Sequence, residues 1–175
     1  PVALQHRSVG HGERSWHARP SPAADPCQAW AMASSAPTDP RFVYDEVAYI
    51  TGSTSVMTRA SDAWVQRAGV CQDMAHLVIG GLRTIGIPAR YVSGYQHPQK
   101  EPAIGDTVVG ESHAWVEWWD GGWRGWDIAN SCEPLDRHVV IAAGRDYFDV
   151  RPLSGIYSGA ATSAMTVEVK LSRPT

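Results

Sequence analysis

The sequence predicts an α+β domain in which one buried helix packs on a mostly antiparallel sheet. Three observations carry this. After Cys71 the apolar residues Met74, Leu77, Val78, Leu82 and Ile85 recur at helical spacing. Two later strand-like runs are joined by Asp120-Gly121-Gly122, a turn with hairpin chemistry. Near the end Met165, Val167, Val169 and Leu171 alternate with Thr166, Glu168 and Lys170, the pattern of a strand with one face buried. A helix followed by hairpin-linked strands is the signature of this fold class.

Residues 1 to about 40 form a separate stretch. His6, Arg7, His11, Arg14, His17 and Arg19 mix with five prolines (Pro20, Pro22, Pro26, Pro37, Pro40) without period, which predicts irregular structure. The chain opens on Pro1, so this stretch reads as non-native sequence or as a fragment of an upstream region. An N-terminal mass measurement on the native protein separates the two. Residues 41–175 read as the folded domain.

Phe42, Val43, Val47 and Ile50 suggest the end of a first helix, and Thr51-Gly52-Ser53-Thr54 is a turn. Thr58 can cap a short helix running to Arg67, with Gly69 ending it. The Cys71 helix reaches about Ile85, where Gly86 and then Pro88 stop it. Ile87 to Tyr95 is a strand by its alternation and its Tyr and Val content. Residues 97–110 hold two prolines and two glycines and read as a long loop. Ser112–Trp119 and Trp123–Ile128 form the hairpin arms. Val139–Ala143 reads as a short buried strand, and Gly144-Arg145-Asp146-Tyr147 as a turn in which Arg145 and Asp146 pair.

Composition excludes several classes of function. With 175 residues and a net charge of −3, the chain has no basic stripe, so nucleic-acid binding lacks electrostatic support. No apolar run approaches the ~20 residues of a membrane span, and no signal-peptide h-region is visible. Three cysteines (Cys27, Cys71, Cys132) are too few for a disulfide scaffold and suggest reduced thiols in the cytoplasm. Five of the eight tryptophans fall between Trp115 and Trp126, as core or as the wall of a groove. Cys132 and His138, with His97 or His113, fit no compact zinc spacing, so no metal is expected.

The chemistry points to Cys71. At the first helical turn the backbone N–H groups lack partners and the dipole favours negative charge, so a thiol there should ionise more readily than a free one, with its pKa of about 8.5. Asp73 in the same turn complements the dipole, and His76 falls on a different part of the helix surface and packs. A nucleophilic thiol needs a base, and the base needs an orienting group. His113 and Asp127 are equidistant from Asp120 along the two hairpin arms. A hairpin symmetric about Asp120 would oppose them directly, with Cβ atoms about 4.5–5.5 Å apart. A turn centred on Gly121 would shift the pairing by two residues unless a bulge restored it. Taken singly, each residue has a structural reading: a small buried hydrophobe, a strand histidine bonded to a carbonyl, a strand-end acid capping a loop. Together they complete the logic of a Cys-His-Asp triad.

The segments Gly69-Val70-Cys71-Gln72-Asp73, Gly86-Ile87-Pro88-Ala89-Arg90-Tyr91-Val92-Ser93-Gly94-Tyr95, Ser112-His113-Ala114-Trp115-Val116-Glu117 and Gly125-Trp126-Asp127 resemble the bacterial transglutaminase-like family. Gly144-Arg145-Asp146-Tyr147 and Asp149-Val150 match its tail, and the likeness runs from about Tyr44 to about Val169. The family often carries a β-rich region ahead of this core, which the chain is expected to lack. The usual Asp-Pro-Thr-Asn is here Asp127-Ile128-Ala129-Asn130, so the proline turn is replaced. The resemblance implies a papain-like, transglutaminase-core fold. It also implies Cys71 as nucleophile, His113 as general base and acid, and Asp127 as the orienting carboxylate. The expected reaction is acyl transfer from a peptide or protein amide through a thioester, hydrolytic by preference, with no cofactor and no acidic calcium loop. The alternatives are transfer to an amine, acetyl transfer to arylamines, and a non-catalytic binding module or truncated fragment that keeps the fold.

Overall fold

The computed structural model describes residues 39–99, 101, 103–151, 155 and 168–172. The irregular structure expected before Asp39, and the alternating residues Met165 and Val167, lie outside them. Helix α1 (Arg41–Glu46) starts where the Asp39 carboxylate accepts the Arg41 backbone N–H at 3.0 Å. It ends at Glu46, short of the expected Ile50, because Val47 turns extended. Ala48–Tyr49 instead form β1, which pairs in parallel with β2 (Ala68–Gly69).

Between them, α2 (Ala60–Gln66) starts after Arg59 without a side-chain cap. Thr58, expected as the cap, accepts the Ser55 N–H in the preceding turn. The helix ends on Arg67 in the left-handed region (φ +53°), not on Gly69. The Arg67 guanidinium lies 3.6 Å over the Trp64 ring, which covers one face of that indole.

Helix α3 (Cys71–Thr84) closes as its sequence predicts. Gly86 takes φ +82°, its N–H bonds the Arg83 carbonyl, and the Ile87 N–H bonds the Leu82 carbonyl. These are the two bonds of a Schellman motif, and Pro88 follows it. At the other end Asp73 accepts the Val70 N–H at 2.8 Å and the Thr54 hydroxyl at 2.6 Å. Gly69 makes this possible, since a Cβ there would stand 2.8 Å from the Asp73 Cβ.

The strands β3 (Ala89–Gln96), β5 (Glu111–Trp119), β6 (Trp123–Trp126) and β7 (His138–Gly144) form one antiparallel sheet in the order β6-β5-β3-β7. The long loop contains β4 (Thr107–Val109), paired with β8 (Lys170–Ser172), which holds Leu171 of the alternating terminal run. Strand β7 is the sheet edge, with Val139, Val140 and Ile141 exposed, and is therefore not the buried strand expected from its apolar composition. Arg145 pairs with Asp149 at 2.8 Å, not with Asp146. Asp146 instead caps the 3-10 turn Tyr147–Asp149.

Met74, Leu77, Val78, Ile79 and Leu82 of α3 join Trp64, Tyr91, Ala114, Val116 and Ile128 in the core. Each large side chain buried this way contributes about 1.5–3 kcal/mol of transfer free energy. The architecture is the α+β arrangement of a buried helix packed on an antiparallel sheet. Among the described residues no helix is long and apolar enough to cross a membrane.

Candidate active site

The site assembles where the start of α3 meets the ends of β3, β5, β6 and β7. Cys71 is half-buried with a free thiol in the first turn of α3. His113 lies near the start of β5, its side chain 8% exposed. Asp127 follows β6 and is fully buried. His113 Nε2 and Asp127 Oδ2 stand 2.7 Å apart. Cys71 lies close enough to His113 to influence its ionisation. All three predicted residues are thus brought together.

The route by which they meet differs from direct opposition. The ladder pairs Val116 with Trp126 and Trp119 with Trp123, so the hairpin is centred on Gly121, at φ +71°. Asp127 therefore lies diagonal to His113, and no bulge restores the pairing. Diagonal neighbours are still within reach of side chains. Asp127 is held by a local loop: its N–H bonds the Cys132 carbonyl at 2.8 Å, and the Cys132 N–H bonds back at 3.2 Å. Cys132, considered as a metal ligand, thus shapes the turn through its backbone.

Four side chains converge on Asp127 Oδ2. Besides His113, these are Asn130 Nδ2 at 2.7 Å, His138 Nε2 at 2.9 Å and Gln96 Nε2 at 3.2 Å. The Asn130 backbone N–H bonds Oδ1 at 3.2 Å. Burial opposes ionisation of this carboxyl, but the bonds from His113, His138 and Asn130 outweigh it and hold Asp127 well below the usual carboxylate range. Burial also opposes charge on His113. The bond to Asp127 and then the neighbouring Cys71 outweigh it and raise the imidazole to about 9.

Tyr49 is the second neighbour of the thiol. The β1–β2 pairing sets Tyr49 beside Gly69, two residues before Cys71, and the Ile50 N–H bonds the Gly69 carbonyl at 2.9 Å. Partial burial of the phenol, and then its nearness to Cys71, push it up to about 12. Nothing in the sequence singles out Tyr49 or Gln96, because a two-residue parallel bridge has no period to detect. Asn130 stood out only through the family motif, and His138 only as a zinc candidate. His76 packs as expected, its ring 5.0 Å from Tyr91 and its Nε2 accepting the Tyr147 N–H. The tryptophan cluster divides: Trp115 is fully buried beside His113, whereas Trp118, Trp123 and Trp126 line a groove of about 790 Å³ with Arg41, Glu117 and Pro134. None of the three predicted site residues lines that groove.

Comparison with known proteins identifies the family. The Transglutaminase-like superfamily profile matches residues 39–128, just over half of the chain. An uncharacterized protein of Mycobacterium leprae is 46% identical over 133 residues, covering 76% of this chain and 48% of that protein. A protein-glutamine gamma-glutamyltransferase of Pseudomonas aeruginosa is 36% identical over 96 residues, covering 50% of this chain and 14% of that protein. A crystal structure described as a "putative cysteine protease" from Cytophaga hutchinsonii superposes with a TM-score of 0.60 at 36% identity, covering 78% of this chain and 44% of the other. The chain spans about half the length, or less, of these relatives. With this match across the Cys71 helix and the hairpin, the chain belongs to the transglutaminase-like superfamily.

Proposed function

We propose that the chain is a thiol-dependent acyl-transfer enzyme that acts on peptide or protein amides, with water as its preferred acceptor. The observation that carries the proposal is the 2.7 Å bond between His113 Nε2 and Asp127 Oδ2. It uses one ring nitrogen and leaves Nδ1 for the thiol. Cys71 gives its proton to His113, and the thiolate attacks the amide carbonyl. The N–H groups of the first turn of α3 are free to stabilise the oxyanion. His113 then protonates the leaving amine, the C–N bond breaks and a thioester remains. Water, deprotonated by His113, attacks the thioester and releases the acid and the thiol. No metal or organic cofactor enters these steps.

The test is the pH dependence of Cys71 alkylation by iodoacetamide, with Cys71→Ala as control. Reactivity that persists down to about pH 5 is expected of a thiolate–imidazolium pair. Reactivity appearing only near pH 8.5 would overturn the proposal in favour of a non-catalytic module. One observation favours a second reading: the relative named as a glutamyltransferase supports an amine in place of water. Incorporation of a fluorescent primary amine into a glutamine-bearing protein, measured against ammonia release without the amine, separates the two.

A further inference from the structure

His113 is not the only imidazole on Asp127. His138 opens β7, its side chain 1% exposed, and its place is set by pairing with Gln96 of β3. Its Nδ1 accepts the Leu135 backbone N–H at 3.0 Å, and its own backbone N–H bonds the Leu135 carbonyl at 2.8 Å. A backbone N–H aimed at Nδ1 requires a lone pair there. In a neutral ring the one proton then sits on Nε2. That nitrogen is 2.9 Å from Asp127 Oδ2, so it donates there, while the Gln96 amide nitrogen, 3.1 Å from the same ring atom, directs its own proton to Asp127 Oδ2 at 3.2 Å.

The ring is also fixed by packing. The fully buried Trp115 indole meets it edge-on, with centroids 5.3 Å apart. Space for Trp115 comes from Gly94, where a Cβ would stand 2.6 Å from the indole and 2.2 Å from the Val139 carbonyl oxygen. Gly94 sits where the β3–β7 register shifts.

We propose that His138 is a positioning residue of this site: locked by Leu135 as the Nε2–H tautomer, it donates its one ring proton to Asp127 and fixes the rotation at which that carboxylate receives His113. The same lock bears on metal binding. His113, Asp127 and His138 offer ligand atoms within 4.8 Å of one another. A metal on His138 Nε2 would place the ring proton on Nδ1, against the Leu135 N–H. The local hydrogen bonds therefore favour donation over ligation. The tautomer stands on geometry alone, and its role in positioning rests on the acyl-transfer reading.

Two measurements test this on the full chain. In a long-range proton–nitrogen correlation spectrum of histidine-labelled protein at pH 7, His138 is expected to show the Nε2–H pattern. The Nδ1–H or doubly protonated pattern would overturn the lock. The second is the iodoacetamide rate at pH 6. His138→Gln carries an amide nitrogen at the reach of Nε2 and should stay within about threefold of the parent. His138→Asn can still accept from Leu135 but falls short of Asp127, and should lose about tenfold, as should His138→Ala. Equal rates for the Asn and Gln variants, with matching thermal melts, would overturn the positioning role. A parent chain unreactive at pH 6 would instead overturn the acyl-transfer reading and the positioning role together, leaving the tautomer to the spectrum.

Discussion

Asp127 keeps its charge in a fully buried position because its neighbours are donors rather than because it reaches water. Asp127→Asn would remove the acceptor that raises His113, so Cys71 alkylation at pH 6 should fall by about 10²-fold or more, while the rate above pH 9 changes little. Stability should follow the same two groups. His113 is raised from 6.5 to about 9, so its contribution is complete below pH 6.5 and is lost as pH rises through about 9. Asp127 is lowered, so its contribution is present above its ordinary value of 3.8 and is lost as pH falls below it. The urea midpoint should therefore be highest between about pH 4 and 6.5, and His113→Gln should flatten the alkaline limb. At this scale the grouping of Cys71, His113 and Asp127 was legible because a thiol, an imidazole and a carboxylate form a recognisable set of residue types. Gln96 and His138 were not, since their roles depend on which atom meets Oδ2 across 31 and 11 residues of sequence.

At the scale of the elements, two glycines make room for neighbours that a side chain would displace. Gly94→Ala meets a backbone oxygen at 2.2 Å, which cannot rotate away, and should cost about 3 kcal/mol, read as a lower urea midpoint. Gly69→Ala meets the Asp73 side chain at 2.8 Å. It should cost about 1–3 kcal/mol and loosen the first turn that carries Cys71. The extent of α3 was readable because an unbroken 3.6-residue period and a Schellman ending are local. The end of α1, the ending of α2 on Arg67 and the exposure of β7 were not. Each is decided by a partner distant in sequence: β1 by β2, and β7 by its place at the edge of the sheet. The hairpin register lay between two centres, and the left-handed backbone of Gly121 selects the one that leaves Asp127 diagonal to His113.

Across the whole molecule, the thiol and the imidazole come from different layers, Cys71 from the helix and His113 from the sheet. Their meeting depends on the core between α3 and β5. Leu82→Ala, deep in that core, should lower stability by about 2–5 kcal/mol with an unchanged urea m-value. In the native baseline its Cys71 alkylation profile should match the parent, because Leu82 lies three turns from the thiol. The rapid low-pH reaction should then disappear with the same urea midpoint as the core. The fold class was legible at this scale because one amphipathic helix and a hairpin leave few ways to bury both.

The order in which the site's parts occur along the chain has a consequence for biosynthesis. Translation yields Tyr49 first, then Cys71, Gln96, His113, Asp127, Asn130 and finally His138. Cys71 precedes His138 by 67 residues (138 − 71), roughly 3 to 13 s of synthesis at ribosomal speed. Throughout that interval the network around Asp127 cannot close. A nascent or prematurely terminated chain therefore carries Cys71 without the full set of side chains around Asp127, and that set is complete only with β7, the last described strand of the four-stranded sheet.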